Sequence, residues 1–332
     1  MREKLKIKGN RRVILIAGSV IMAATLLGVA AFLAIALYGR KPLPALEHLS
    51  RTAANLSDLP RTEVCWVETG HAFGSGSFSM TASGLLIRHP GGDVLIDGGN
   101  SSRFEEEASQ FPLWQRLVMI AIPGRLKPRV PLSEALRALG EIPGKIQLLI
   151  PSHAHLDHVG GYEDLPRIPV LLSPLELSYL YYHDALQTGA VIPQQAKMLQ
   201  DGRARELKFS ETPYEIYQQS FDLYKDGSIV LVPLPGHTPG SVGIFVNLDA
   251  DHRVFYVGDA ALQVREITER IRKPFFIQDV EPEKAAEVVQ QLNELHRMLP
   301  TLAMIPAHGR SGFFSVFPDG PGTCRSSMGS LK

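Results

Sequence analysis

The chain reads as a mixed α/β (α+β) protein, and three features of its sequence predict that class. Short β-leaning runs, such as 146–150 and 228–232, end in proline, glycine or turn-forming residues. One long stretch, 281–299, instead repeats its apolar residues at helical spacing, at Ala285, Val288, Val289, Leu292 and Leu295. Histidine- and aspartate-bearing loops follow the strand-like runs, at the strand ends where open sheets place their sites. With 332 residues, 45% of them hydrophobic, the chain can bury one large core or two small ones.

Taken in order, strands are expected near 62–68, 78–88 and 92–97, building a first sheet with Gly91-Gly92 as a hairpin turn. Pro131-Leu132-Ser133-Glu134 opens a helix, with Ser133 as its N-cap, and Gly140 ends it. A strand at 146–150 leads into the richest loop, and the chain returns to a strand near 168–172. Strands near 228–233, 241–247 and 253–257 build a second sheet, then come the 281–299 helix and a strand at 302–305. Two segments stand outside this plan. Residues 101–128 include Phe111, Trp114 and the apolar run 117–122, and residues 173–221 include Leu177, Tyr179, Leu180, Tyr181 and Tyr182. They read as helices packed on the sheets, as walls of an apolar pocket, or as a membrane contact.

The N-terminus has its own physics. Residues 1–38 carry +5, leaving −5 for the remainder of a chain whose formal net charge is zero. A mildly acidic catalytic part without a basic stripe argues against nucleic acid as the substrate. Between Arg12 and Arg40 lie 27 uncharged residues, 13–39. As a helix they would extend ~40 Å, more than the ~30 Å hydrocarbon core of a bilayer. The basic cluster at 1–12 favours a cytoplasmic N-terminus, which places the catalytic part outside the cytoplasm. The alternative is a cleaved signal peptide, since Ala34-Ile35-Ala36 has the small-x-small form of a cleavage site. Residues 40–61 then form a linker.

The chemistry concentrates in His153-Ala154-His155-Leu156-Asp157-His158. In extended backbone, residues i and i+2 point the same way, so His153 and His155 can share one cation. Asp157 and His158 follow where the chain turns and can face a second, and Gly160-Gly161 permits a tight turn or close packing there. Further on come His237, in Leu234-Pro235-Gly236-His237-Thr238-Pro239-Gly240, Asp259, in Tyr256-Val257-Gly258-Asp259, and His308, in Ile305-Pro306-Ala307-His308-Gly309. Asp97 ends a strand in Val94-Leu95-Ile96-Asp97-Gly98-Gly99. Taken singly, each would be an ordinary loop or turn residue; their joint order is the signal. The other histidines, His48, His71, His89, His183, His252 and His296, read as surface or packing residues, with His183 set apart.

This pattern, H-x-H-x-D-H followed by His237, Asp259 and His308, resembles the signature of the metallo-β-lactamase superfamily over about residues 62–312. The resemblance implies a four-layer αβ/βα sandwich and a catalytic domain over 62–315, and the Gly-, Ser- and Pro-containing residues beyond it read as a flexible tail over 316–332. It also implies two divalent metal ions, zinc first and iron or manganese as alternatives. His153, His155 and His237 would hold one, Asp157, His158 and His308 the other, and Asp259 would bridge them. A bridging hydroxide would then attack an ester-, lactone- or thioester-like carbonyl of a small molecule, with Asp157 steering a proton and Asp97 orienting a ligand histidine. Several points narrow the substrate. Asp259 stands where one group of true metallo-β-lactamases uses Cys, and Leu262 stands where many acyl-homoserine lactonases carry Tyr. Only 24 residues follow His308, fewer than glyoxalase II enzymes use to bind glutathione. A mononuclear iron dioxygenase of the persulfide type, a phosphodiesterase or β-lactamase, and a non-catalytic metal-binding scaffold are the alternatives.

Two cysteines are too few for a disulfide scaffold; Cys65 reads as a packed thiol in the first strand and Cys324 as part of the mobile tail. Their separation gives no support for a bond between them. The N-terminal reading has a direct check: an uncleaved anchor keeps the protein with membranes through a carbonate wash and leaves its catalytic part open to protease from outside. Recovery of a soluble mature chain beginning near Leu37 would establish a signal peptide instead.

Overall fold

The computed structural model describes residues 22–28, 40–46, 49–72, 79–109, 111, 113, 116, 127, 129–181, 191, 193–274, 277 and 279–326. In chain order the elements are β1 (Glu63–Ala72), β2 (Met80–Arg88), β3 (Asp93–Ile96), α1 (Phe104–Ala108), α2 (Leu132–Ala138), β4 (Ile146–Ile150), α3 (Leu156–Val159), β5 (Val170–Leu172), α4 (Pro174–Tyr181), α5 (Pro193–Gln200) and β6 (Ala204–Glu206). The second half contributes β7 (Phe221–Asp222), β8 (Ile229–Pro233), β9 (Val242–Asn247), β10 (Arg253–Gly258), α6 (Val264–Thr268), α7 (Pro282–Met298), β11 (Ala303–Pro306), α8 (Arg310–Val316) and β12 (Cys324–Ser326).

Two sheets result, a seven-stranded one ordered β12-β1-β2-β3-β4-β5-β6 and a five-stranded one ordered β11-β10-β9-β8-β7. The period-two alternation of the strands makes the layers. From β9 and β10, Ile244, Val246, Val254 and Tyr256 face inward and meet Val64, Trp66, Leu85 and Ile87 of the other sheet. Their neighbours Phe245, Phe255 and Val257 face outward and pack under Val288, Leu292 and Leu295 of α7. On the far side of the first sheet, Leu86, Leu95 and Leu149 are covered by α2 through α5, with Leu132, Leu136, Val159, Leu180 and Leu199. Helices, sheet, sheet, helices is the expected four-layer sandwich. The strands β3, β4 and β5 run parallel, as do β10 and β11, so loops leaving their C-terminal ends gather at one edge.

Most expected elements form where the sequence places them, including the Gly91-Gly92 turn, where Gly92 has φ +132°. Other expectations are corrected. Ser133 is not an N-cap: the helix begins at Leu132 after Pro131, and the Asp164 carboxylate accepts the Leu132 N–H at 3.0 Å. A residue distant in sequence has taken the capping role. The tail is not loose through Ser326, because β12 pairs antiparallel with β1, placing Cys65 opposite Cys324. Those two cysteines are joined in a disulfide, contrary to their reading as a core thiol and a mobile residue. Residues 327–332 lie outside the described set. The 173–221 excursion supplies α4 and α5, which pack on the first sheet as helices, and it also adds the edge strand β6 to that sheet.

The segment 40–61, expected as a linker, is fastened along the second half. Leu43 donates its N–H to Arg270 O at 2.7 Å, and Arg40 reaches both Glu266 and the Arg272 carbonyl. The expected membrane span at 13–39 lies outside the described residues except for 22–28, which are helical and exposed. Among the described residues no helix is long and apolar enough to cross a membrane. His48, His183 and most of the apolar stretch 110–128 also lie outside them.

The disulfide closes a loop of 259 residues in sequence separation, and such cross-links stabilise chiefly by restricting the unfolded chain. Thiol titration of the unreduced, denatured protein should find no free thiol. Cys324→Ser should lower the unfolding free energy by about 2–4 kcal/mol, read from denaturant or thermal melts; an unchanged melt would show that the staple contributes nothing.

Candidate metal centre

The loop after β4 carries the first four donors. Pro151 follows the strand, His153 sits at a bend, and His155, on extended backbone, is the N-cap of α3, whose single turn holds Asp157 and His158. That turn lies against the loop after β3. A side chain at Gly161 would come within 2.2 Å of the Gly98 carbonyl, and one at Gly160 within 2.4 Å of the Ser101 N. Both glycines are therefore required by close backbone approach. His237 and Asp259 come from the loops after β8 and β10, and His308 from the loop after β11. Gly258, at φ +53°, turns the chain immediately before Asp259 where a side chain would strike Ser152.

All seven residues meet. Donor atoms of His153, His155 and His237 form one group, those of Asp157, His158 and His308 a second, and those of His153, His158 and Asp259 a third, each within 4.8 Å. The Asp259 carboxylate lies between the first two. Its Oδ1 is 3.5 Å from His158 Nε2 and 3.4 Å from His308 Nε2, while its Oδ2 is 3.5 Å from His237 Nε2. His308 Nε2 is 3.3 Å from Asp157 Oδ2, and His237 Nε2 is 3.1 Å from His155 Nδ1.

The outward nitrogens settle which atoms face in. His308 Nδ1–H donates to the Thr81 carbonyl at 2.8 Å, and His158 Nδ1 lies 2.7 Å from Asp97 Oδ2. His237 Nδ1 lies 3.1 Å from Asp279 Oδ1. With the Nδ1 protons of His308 and His158 directed outward, their Nε2 atoms face in, whereas His237 Nδ1 lies between Asp279 and the Lys273 ammonium. His153 Nε2, His158 Nε2 and Asp259 Oδ1 are buried with no hydrogen-bond partner. Buried polar atoms that face one another without a hydrogen-bond partner are costly unless a cation joins them, so the donor set fits metal ions.

Electrostatics agree. Burial, then the neighbouring imidazoles, hold His153 and His155 well below the usual histidine range. Burial and then the Lys273 ammonium lower His237. For His158 burial is outweighed by Asp97 and Asp259, which push it up to about 10, and His308 is raised by Asp259 and Asp157. Asp157 and Asp259 are held below the carboxylate range despite burial, by His308 and His158. The pocket around Asp157, His158 and His308 is one that draws positive charge.

Asp97 is the hub behind the donors. It accepts from Ser152 N at 2.6 Å, Ser152 Oγ at 2.9 Å and Tyr256 Oη at 2.8 Å, in addition to facing His158. Other supporting residues carry no signal in the sequence. Glu176 of α4 is fully buried and accepts from Ala154 N, Thr238 Oγ1 and Gly240 N, tying the 153–158 loop to the His237 loop. Lys273, also buried, contacts Asp279, His237 and the Asp259 carbonyl. Tyr179 Oη lies 3.4 Å from His155 Nε2. Of the histidines set aside, His89 is buried against Tyr224 and Asp226, and His71 pairs with Glu68.

Fold and donor set define a metallo-hydrolase. Residues 80–308 match the model of the metallo-beta-lactamase superfamily, and the chain belongs to that superfamily. It is similar to the N-acyl homoserine lactonase AttM of Rhizobium radiobacter, 26% identical over 212 residues, covering 64% of this chain and 77% of the relative. It is also similar to the probable metallo-hydrolase Mb2322c of Mycobacterium bovis, 24% identical over 254 residues, 72% of this chain and 77% of the relative. Among solved structures, an N-acyl homoserine lactone hydrolase with N-hexanoyl-L-homoserine at its catalytic metal centre superimposes with a TM-score of 0.56. That pair is 16% identical and covers 78% of this chain and 98% of the other, a likeness of fold.

Burial pushes Glu176 up to about 7 against the lowering effect of the Thr238 and Ala154 donors. The folded state therefore keeps this proton where the unfolded chain, ordinarily near 4.5, has lost it. Between those two values stability falls as pH rises. In metal-stripped protein, Glu176→Gln should flatten that limb of the stability–pH profile measured by denaturant titration. An unchanged slope would show that Glu176 is ionised throughout.

Proposed function

We propose that this enzyme hydrolyses the ester-type carbonyl of a small molecule, a lactone first, at a centre of two divalent cations. The observation that carries the reading is Asp259, which turns one carboxylate oxygen toward each of two three-donor groups. His153, His155 and His237 would hold one ion, Asp157, His158 and His308 the other, and Asp259 both. Zinc suits imidazole and carboxylate donors best, with iron or manganese as alternatives. When bound, the ions supply Lewis acidity that polarises the carbonyl and makes water a nucleophile near neutral pH.

The chain's own residues supply the rest. Asp97 fixes the His158 ring by accepting at Nδ1, and the Thr81 carbonyl does the same for His308. Asp157, whose side chain is 21% exposed, is more open than His158, His237, Asp259 and His308. Its carboxylate can accept a proton from water and return it to the departing alkoxide. Lactonase relatives support the substrate class. Leu262 is buried where many acyl-homoserine lactonases use Tyr, so the leaving oxygen must be served by another group, and Asp157 is placed for it.

The location outside the cytoplasm is part of the same proposal: residues 13–39 form the anchor, or a signal peptide, and Arg40 docks on Glu266 directly after them.

Asp259→Asn is the decisive variant. An amide is neutral and a poorer ligand, so turnover on a lactone panel should fall about 10²-fold or more, and metal content should fall from two ions per chain. The control is Asp249→Asn, in a hairpin turn where the side chain accepts the Asp251 and His252 N–H groups; activity should be unaltered. Retained activity and metal content in Asp259→Asn would overturn the bridging assignment. Thioester, β-lactam and phosphodiester substrates run beside the lactones separate the alternatives.

A further inference from the structure

The two halves of the centre are backed by opposite charges. Behind His158 lies the buried Asp97 carboxylate, 2.7 Å from Nδ1. Behind His237 lies the Lys273 ammonium, its side chain 2% exposed, 3.0 Å from His237 Nδ1 and 2.5 Å from both Asp279 Oδ1 and the Asp259 carbonyl oxygen. Nothing about the hydrolytic reaction requires a buried lysine there.

We infer that Lys273 is a positioning residue that makes the two metal subsites unequal, weakening the His153–His155–His237 subsite against the Asp157–His158–His308 subsite. The inference rests on the two-metal reading above. Three arguments carry it. The first group offers three neutral imidazoles and the second two imidazoles and a carboxylate, so charge already favours the second. A histidine becomes a stronger donor when its outer N–H is given to a carboxylate. Asp97 serves His158 in this way, whereas the Asp279 oxygen facing His237 is the one that Lys273 already neutralises. Finally, Lys273 can donate directly to His237 Nδ1 only while that nitrogen lacks a proton. The proton then sits on Nε2, the atom that would bind the ion, so loading this subsite requires a tautomer change against a nearby cation.

Lys273 would thus set the order of loading: the Asp157 subsite fills first, and the His153 subsite fills at higher metal concentration. The test is a zinc titration of metal-stripped full-length protein by calorimetry with a competing chelator. Two steps should appear, separated by at least tenfold in affinity, with His153→Ala abolishing the weaker and His158→Ala the tighter. Lys273→Met should strengthen the weaker step on the order of 10–100-fold, and Lys273→Arg should keep the gap. Should Lys273→Met fail to fold, Asp279→Asn serves instead, since it leaves the cation uncompensated and should widen the gap; a narrowed gap overturns the inference. Two equal steps in the wild type, or a gap unmoved in folded Lys273→Met, overturn it too. Saturation at one ion per chain would instead sink the two-metal reading itself.

Discussion

Everything in this fold answers to one electrostatic problem: five imidazoles and two carboxylates brought donor-first into a buried space. Such an arrangement is costly by itself, because three of the inward atoms, His153 Nε2, His158 Nε2 and Asp259 Oδ1, are buried without a hydrogen-bond partner. The donors stay inward because their outer atoms are held. His308 is fixed by the Thr81 carbonyl, His158 by Asp97, and the loops that carry His155 and His237 by the single carboxylate of Glu176. The two sheets serve as the rigid mounts for those fixings.

Asp97 shows how closely mounting and chemistry are joined. It directly follows β3 of the first sheet, accepts the Tyr256 hydroxyl from β10 in the second, and holds both Ser152 and His158 of the donor loop. It adopts φ +50°, a conformation that disfavours most residues. One side chain therefore couples the packing of the two sheets to the aim of a ligand, and the strain at its backbone is offset by four hydrogen-bonding contacts.

The strands and the seven donors were legible because both are local signals. A β-run followed by Pro-Ser or Pro-Gly, and then His or Asp, marks itself within a window of ten residues. The supporting residues were not legible. Glu176 lies in an apolar helix, Lys273 between Arg272 and Pro274, and each reaches the donor loops through partners more than ten residues away. The N-cap of α2 failed for the same reason, since Asp164 supplies from a distance what Ser133 was expected to supply locally. The pairing of Cys65 with Cys324 is the extreme case. Composition gave two thiols, and only the return of the chain to the first strand brought them side by side.

That return has a topological consequence. With β12 laid along β1 and the two strands cross-linked, the catalytic domain is a covalent ring, its first and last strands adjacent on one sheet edge. The order in which the halves occur along the backbone then ceases to matter for the architecture. A gene recut at the exposed hairpin between β9 and β10, with a short peptide joining the two strand ends, would encode the same sandwich read from a different starting point.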